Sequence, residues 1–370
     1  MLTANKTRIT HAYDLTDAFT ASEADGPTLV FIHGWLLSRA YWEPVIRQLS
    51  PYYRCLSYDL RGFGESALLT EQLPNHAEQA QAPIPQITLP FDKISHIEAL
   101  ESKDSEATST VPAGIDGSKE PNNYTPSQYS LAAYANDLEA LLSELNLENV
   151  WLVGHSLGGS IALWAAYLQP ERVKGVICVN AGGGIYIPKE FEKFRAAGQQ
   201  MVKFRPKWLP SFPLLPQLFS RMMVKQTLAS SWGKQRLRDF VNADKKAAEG
   251  ALLESTTKAE VHLLPRIVKH LSQPVHFITA TNDTIMPPRY VRHLASFHPQ
   301  FEEEQMVSEI AECGHMAMVE QPEAVAETVR SVISNAAISN DGADAKTRRE
   351  RGVGGDARDM SKTGKARLHQ

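Results

Sequence analysis

The sequence predicts an α/β protein: a doubly wound, mostly parallel sheet with helices on both faces and a further helical segment inserted late in the chain. Two observations predict it. Short runs at Thr28–Ile32, Arg54–Tyr58, Val150–Val153, Val173–Val179 and Val275–Ala280 are apolar on both faces, as strands buried inside a parallel sheet are. Between most of them lie stretches with apolar residues at helical spacing, so strand and helix alternate as parallel crossovers require.

The first strand, Thr28–Ile32, ends at His33-Gly34-Trp35. A helix follows from Arg39 to Leu49, with Trp42, Val45, Ile46 and Leu49 on one face, and leads into the second strand. After Asp59-Leu60-Arg61-Gly62-Phe63-Gly64-Glu65-Ser66 the composition turns to Pro, Gln, Ala, Ser, Asp and Glu up to Thr125, with little periodicity. That stretch reads as an insertion, either disordered or a small surface appendage, since a structureless loop of such length is unusual inside a compact domain.

Order resumes at Ser127–Leu145, whose Leu131, Tyr134, Leu138, Leu141, Leu142 and Leu145 make one apolar face. The strand Val150–Val153 then runs into Gly154-His155-Ser156-Leu157-Gly158-Gly159 and a helix that Pro170 stops. Past the strand Val173–Val179, helical pieces are broken by Pro206, Pro210, Pro213 and Pro216, which suggests a cap or lid ahead of the strand Val275–Ala280. Gly182-Gly183-Gly184 would suit a hinge at its entrance. A helix near Arg289–Phe297, a strand near Gln305–Ile310 and a helix over Glu323–Ser334 complete the pattern. The expected organisation is a first core part over 1–67 and 126–183, an insertion over 68–125, a cap over 184–270, a second core part over 271–335 and a disordered tail over 336–370.

Composition narrows the classes. At 370 residues and 43% hydrophobic, the chain can build a sizeable core, and its net charge of −4 gives no general reason to expect a nucleic-acid partner. Cys55, Cys178 and Cys313 lack the spacing of a metal site and cannot all pair, which fits a reducing compartment. There is no secretory leader at the first residues and no apolar run of spanning length, so a cytoplasmic protein is expected.

The chemistry concentrates at three strand ends. Gly-x-Ser-x-Gly between a strand and a helix places Ser156 on a sharp turn, where Gly154 and Gly158 let strand and helix approach and the helix N-terminus adds partial positive charge. A serine hydroxyl needs a base, and His315, in Glu312-Cys313-Gly314-His315-Met316, lies just past the last expected strand. The carboxylate of Asp283, after Val275–Ala280, would orient it, with Asp244 and Glu320 as alternatives. An oxyanion hole would be made by the backbone N–H groups of Trp35 and Leu157. His33 and His155 flank the site and read as structural, as do Asp59, Arg61 and Ser66. Cys313 reads as a small buried residue rather than a nucleophile.

The His-Gly turn, DLRGFGES, GHSLGG, TND and CGH, in that order, resemble the α/β-hydrolase superfamily over Pro27–Ser66 and Ser127–Ser334. The order Ser156, Asp283, His315 is that family's order. The resemblance implies an α/β-hydrolase fold with a cap and a serine hydrolase that needs no cofactor or metal. Serine at the elbow argues against the epoxide hydrolases and haloalkane dehalogenases, whose nucleophile is aspartate. Three readings follow. The first is a carboxylic ester or thioester hydrolase acting on a hydrophobic small molecule, such as a lipid or prenyl ester. The second is a carbon–carbon hydrolase or menaquinone-pathway synthase-like lyase with the same triad, and the third is a non-catalytic ligand-binding relative. The run Met201–Val224, rich in large apolar residues with Lys203, Arg205, Lys207 and Arg221, suggests an apolar pocket and a peripheral membrane contact through the lid.

Overall fold

In the computed structural model of the chain, residues 11–17, 26–66, 87–88, 123–124, 126–183 and 188–353 are described. Their strands, in chain order, are β1 (Tyr13–Leu15), β2 (Thr28–Ile32), β3 (Cys55–Tyr58), β4 (Ile87–Thr88), β5 (Asn123–Tyr124), β6 (Val150–His155), β7 (Val173–Val179), β8 (Val275–Ala280) and β9 (Val307–Ile310). Seven make one sheet in the order β1-β3-β2-β6-β7-β8-β9. All its neighbours are parallel except β1 with β3. Helices cover both sides, which makes the sheet doubly wound, as the alternation of apolar runs requires.

The helices are α1 (Glu43–Leu49), α2 (Leu131–Glu144), α3 (Leu157–Leu168), α4 (Pro188–Lys203), α5 (Leu215–Phe219), α6 (Ser230–Asn242), α7 (Lys245–Ser255), α8 (Lys258–His270), α9 (Pro288–Ala295), α10 (Glu303–Met306), α11 (Ala317–Glu320) and α12 (Pro322–Val353). Short 3-10 turns at Arg39–Trp42 and Leu209–Ser211 precede α1 and α5. No helix among the described residues is long and apolar enough to cross a membrane. Every residue of β2, β6 and β8 is buried. The core gathers Val30, Ile32, Leu152, Val176 and Phe277 from the strands with Leu138, Leu142, Ile161 and Trp164 from α2 and α3. Burying each large side chain of this kind contributes about 1.5–3 kcal/mol.

β1 has no counterpart in the sequence reading. Three residues, YDL, pair antiparallel with β3 at the sheet edge, too short and too polar to register as a periodic run. Most of the 68–125 insertion lies outside the described residues; within it, β4 and β5 pair antiparallel, and Ile87 is buried.

The chain divides into two compact units, Met1–Ala326 and Glu327–Gln370. Helix α12 begins in the first and makes up the described part of the second, reaching Val353. This corrects the expected disorder from residue 336 for the stretch 336–353. Its Ala, Lys, Arg and Glu residues are good helix formers, so helix continues after the apolar periodicity ends. Residues 354–370 lie outside the described residues.

The DLRGFGES stretch is loop architecture, held by charge. The Asp59 carboxylate accepts the backbone N–H groups of Arg39 at 2.6 Å and Glu65 at 2.8 Å, and the Arg39 guanidinium at 2.5 Å. Arg61 donates to Asp137 of α2 at 2.9 Å and lies over the rings of Tyr129 and Tyr134. Together they fix the loop after β3 against the helix that precedes β6.

Asp239 of α6 ties the helical segment between β7 and β8 to the first loop. It is buried, and its carboxylate accepts from the Ser38 hydroxyl at 3.0 Å and from Gln235 at 3.1 Å. Burial pushes its pKa up to about 7, against the opposing hydrogen bonds from Gln235 and Ser38. Between about pH 4 and 7 the folded chain therefore keeps a proton that the unfolded chain has lost, so this group's contribution declines as pH rises and levels off above 7. Asp239→Asn is expected to match the native chain near pH 4 and to exceed it by up to roughly 4 kcal/mol above pH 7. Urea unfolding at both pH values checks this; a constant difference between the two proteins would refute it.

Candidate active site

β6 lies at the centre of the sheet between β2 and β7, and α3 starts two residues after its last residue, His155, leaving Ser156 alone at the turn. Its backbone has φ 52° and ψ −117°, a region that side chains other than glycine rarely enter. The turn is held by Ser156 N–H to the Val179 carbonyl at 3.0 Å and by Gly159 N–H to the Ser156 carbonyl at 3.0 Å. A Cβ on Gly154 would meet the Gly158 carbonyl oxygen at 2.3 Å, and one on Gly158 would meet that of Ile32 at 2.3 Å. The two glycines are thus required by close approach, as the spacing predicts.

The loops after β8 and β9 bring Asp283 and His315 together. His315 Nδ1 lies 2.7 Å from Asp283 Oδ2, with both residues buried. The other oxygen, Oδ1, accepts the N–H groups of Ile285 and Met286, each at 2.8 Å. Burial alone would raise the Asp283 pKa; the facing His315 and these N–H donors outweigh it and hold the carboxyl below the usual carboxylate value. A carboxylate at Nδ1 fixes the proton there and leaves Nε2 as an acceptor. The Ser156 hydroxyl itself makes no hydrogen bond among the described residues; catalytic hydrogen bonds of this kind commonly tighten when substrate binds.

Three neighbours position His315 through its backbone. Its N–H donates to the Met223 carbonyl at 2.8 Å. Its carbonyl accepts from Asn180 Nδ2 at 2.9 Å and from His155 Nε2 at 2.8 Å. Asn180, just past β7, escaped the sequence reading; the available signal was a polar residue ending a buried apolar strand. His155, whose ring centroid lies 4.8 Å from that of His315, has its pKa pushed down to about 3, by burial first and by His315 second. It is therefore neutral and unsuited to act as a base at neutral pH.

The first loop is fixed by His33. Its Nε2 accepts the Leu60 N–H at 3.0 Å, so Nδ1 carries the proton and donates to the Gly34 carbonyl at 2.8 Å. Trp35 follows, anchored by its indole N–H on the Ala248 carbonyl at 2.8 Å. The backbone N–H groups of Trp35 and Leu157 have no hydrogen-bond acceptor among the described residues. Both residues line the same cavity as Ser156. That cavity, of about 90 Å³, is walled mainly by Phe194, Leu252, Ile285 and Met286, with Gly182 and Gly183 at its side. Gly183 has φ 75°, and Gly184 lies outside the described residues.

The alternative acids are engaged elsewhere. Asp244 caps α7 by accepting the Ala247 N–H at 2.8 Å, and Glu320 accepts the N–H groups of Gly314, Lys225 and Gln226. Cys313 is buried and free, and burial pushes its thiol up to about 12, which leaves it protonated.

Comparison with known proteins agrees with this architecture. An uncharacterized protein of Mycobacterium tuberculosis is 33% identical over 180 residues, covering 45% of this chain and 51% of its own length. The chain thus spans about half the length of that relative. A pimeloyl-(acyl-carrier protein) methyl ester esterase of Pseudoalteromonas atlantica is 22% identical over 75% of this chain and 86% of its own. Among solved structures, a thermophilic esterase from Thermogutta terrifontis superposes with a TM-score of 0.56 at 20% identity, covering 88% of this chain and 93% of that one. At such identity the superposition speaks for the fold alone. The family model described as alpha/beta hydrolase fold matches residues 27–322, most of the chain, and on that match, the sheet order and the strand-turn-helix at Ser156, this chain belongs to the α/β-hydrolase family.

Proposed function

We propose that this hydrolase cleaves a carboxylic ester or thioester of a hydrophobic substrate through an acyl-enzyme. The observation that carries the reading is the buried 2.7 Å hydrogen bond between His315 Nδ1 and Asp283 Oδ2, which leaves Nε2 as the acceptor a serine nucleophile needs. Ser156 Oγ attacks the substrate carbonyl carbon while His315 Nε2 takes its proton. The developing oxyanion receives the N–H groups of Trp35 and Leu157. His315 then protonates the leaving alcohol or thiol, and water repeats the sequence on the acyl-enzyme to release the acid and restore Ser156. The esterase name carried by a relative that the chain matches over most of its length supports the same reaction class.

The helices between β7 and β8 act in this reading as a cap. Phe194 and Leu252 come from that segment and wall the cavity at Ser156, favouring an apolar acyl group. A cavity of about 90 Å³ takes a short acyl chain, with the alcohol part of a lipid or prenyl ester lying outside it. A peripheral membrane contact through the segment 201–224 belongs to the same reading.

A fluorophosphonate probe tests the nucleophile. An adduct on the native chain that is absent from Ser156→Ala is expected, and an intact protein that never labels would end the proposal. Pocket size has its own test. Phe194→Ala is expected to raise the ratio of kcat/KM for p-nitrophenyl octanoate over the butyrate by about tenfold, since each methylene accommodated in an apolar pocket changes discrimination on that scale. An unchanged ratio would place the acyl group elsewhere.

A further inference from the structure

We infer that the segment from Lys193 to Arg238 is a docking surface for an anionic phospholipid bilayer. This deepens the membrane contact in the functional reading above, but it can be measured without turnover. The first observation is charge. Ten Lys and Arg residues occur between positions 193 and 238 with no Asp or Glu, whereas the other 28 Lys and Arg share the chain with all 42 Asp and Glu. A net-negative protein thus carries one stretch of 46 residues in which no acidic residue offsets the cations.

The second observation is exposure. Nine large hydrophobic side chains are exposed among the described residues, and six of them fall between Met201 and Leu218. Phe204 and Leu214 are each 74% exposed, Trp208 60%, Phe212 and Leu218 each 55%. They sit on the last turn of α4, the 3-10 turn at Leu209–Ser211, α5 and the loops joining these, a chain path that its prolines keep irregular. Large apolar groups exposed together mark an interaction surface, and Trp and Phe beside Lys and Arg suit the boundary between headgroups and acyl chains.

The third observation concerns where the cations point. Arg205 and Arg236 use their guanidinium groups internally, on the carbonyls of Phe240, Ala243, Phe219 and Met222. Lys225 pairs with Glu312. Lys203, Lys207, Arg221 and Lys234, by contrast, are exposed and make no ion pair among the described residues. Lys207, Lys234 and Arg238 line a single depression of about 450 Å³ with Pro210 and Leu237 and no acidic residue. Trp208 and Pro210, next along the chain from Lys207, connect that depression to the exposed apolar run. Three cations around one hollow beside an exposed indole fit a phosphate headgroup with its acyl chains against Trp208 and Phe212.

A second copy of the chain fits this face poorly, because self-association would set the exposed Lys203, Lys207, Arg221, Lys234 and Arg238 against the same cations of the other copy. The surface is also joined to the reaction centre. Helix α4 supplies Phe194 to the cavity at Ser156, and the loop after α5 supplies the Met223 carbonyl that holds the His315 N–H.

Vesicle co-sedimentation of the full chain tests the inference. Partition onto vesicles containing roughly one-third phosphatidylglycerol should far exceed that onto pure phosphatidylcholine and fall with added salt. The triple variant Lys207→Gln, Lys234→Gln, Arg238→Gln should lose about a hundredfold in partition, from about fivefold per charge. Trp208→Ala with Phe212→Ala should lose about tenfold. Hydrolysis of soluble p-nitrophenyl butyrate should be unchanged in both, which shows that the variants are folded. Equal partition of native chain and charge variant, no preference for anionic vesicles, concentration-dependent dimerisation through this face, or binding to a soluble acidic acyl-carrier protein in place of vesicles would each overturn the inference. Loss of esterase activity in Ser156→Ala with vesicle binding intact separates this surface from the catalytic reading.

Discussion

Ser156→Ala is expected to lower kcat on p-nitrophenyl butyrate by about a millionfold while leaving the protein folded, because a nucleophile removed from a serine, histidine and carboxylate set takes nearly the whole contribution of that set with it. The residual rate would come from the oxyanion donors and from binding. The backbone supplies a second expectation at the same position. With φ 52° and ψ −117°, residue 156 pays for its exposure in conformational strain. Ser156→Gly should be as inactive as Ser156→Ala yet more stable than it by about 1–2 kcal/mol, since glycine tolerates positive φ. Thermal denaturation of the two variants with parallel kinetics checks both points. Retention of more than a small fraction of the native rate in either variant would remove Ser156 from the nucleophile's role.

Asp283→Asn is expected to reduce kcat by about ten-thousandfold with little change in KM. The reason lies in how the carboxylate is held. Oδ1 accepts the Ile285 and Met286 N–H groups, so an amide at this position must keep its oxygen on that side and turn its NH2 toward His315 Nδ1. A donor there requires Nδ1 to be the bare nitrogen, which moves the proton to Nε2 and leaves His315 unable to accept from Ser156. The fluorophosphonate reaction should slow by a similar factor, because it needs the same base. A loss of tenfold or less would show that Asp283 is not the group that orients His315.

Much of the frame was legible in the sequence. Strands such as Thr28–Ile32 and Val275–Ala280 could be read because a strand covered on both faces must be apolar at consecutive positions, and few other local structures ask for that. The turn at Ser156 was legible for a steric reason: glycines on either side of it are needed wherever strand and helix pass this close. β1 was not legible, since its pairing comes from a partner strand more than 40 residues away and not from its own pattern. The helix beyond residue 335 was missed because helix propensity without an apolar stripe resembles the composition of disorder.

The sequence by itself determined the fold class, the alternation that builds the parallel sheet, and the residues that fall at the carboxyl ends of β6, β8 and β9. These depend on local patterns of apolar residues and on glycine sterics. Only the tertiary structure decided which carboxylate meets His315, because Asp283, Asp244 and Glu320 are alike in chemistry and differ in where the chain delivers them: one at the His315 ring, one at the N-terminus of α7, one on the loop amides around Gly314. It alone also decided that Asn180, His155 and Met223 hold the His315 backbone, and that the large apolar residues between Met201 and Leu218 divide into a few that face inward and more that face solvent. Contacts between distant residues are set by packing, which periodicity along the chain does not encode.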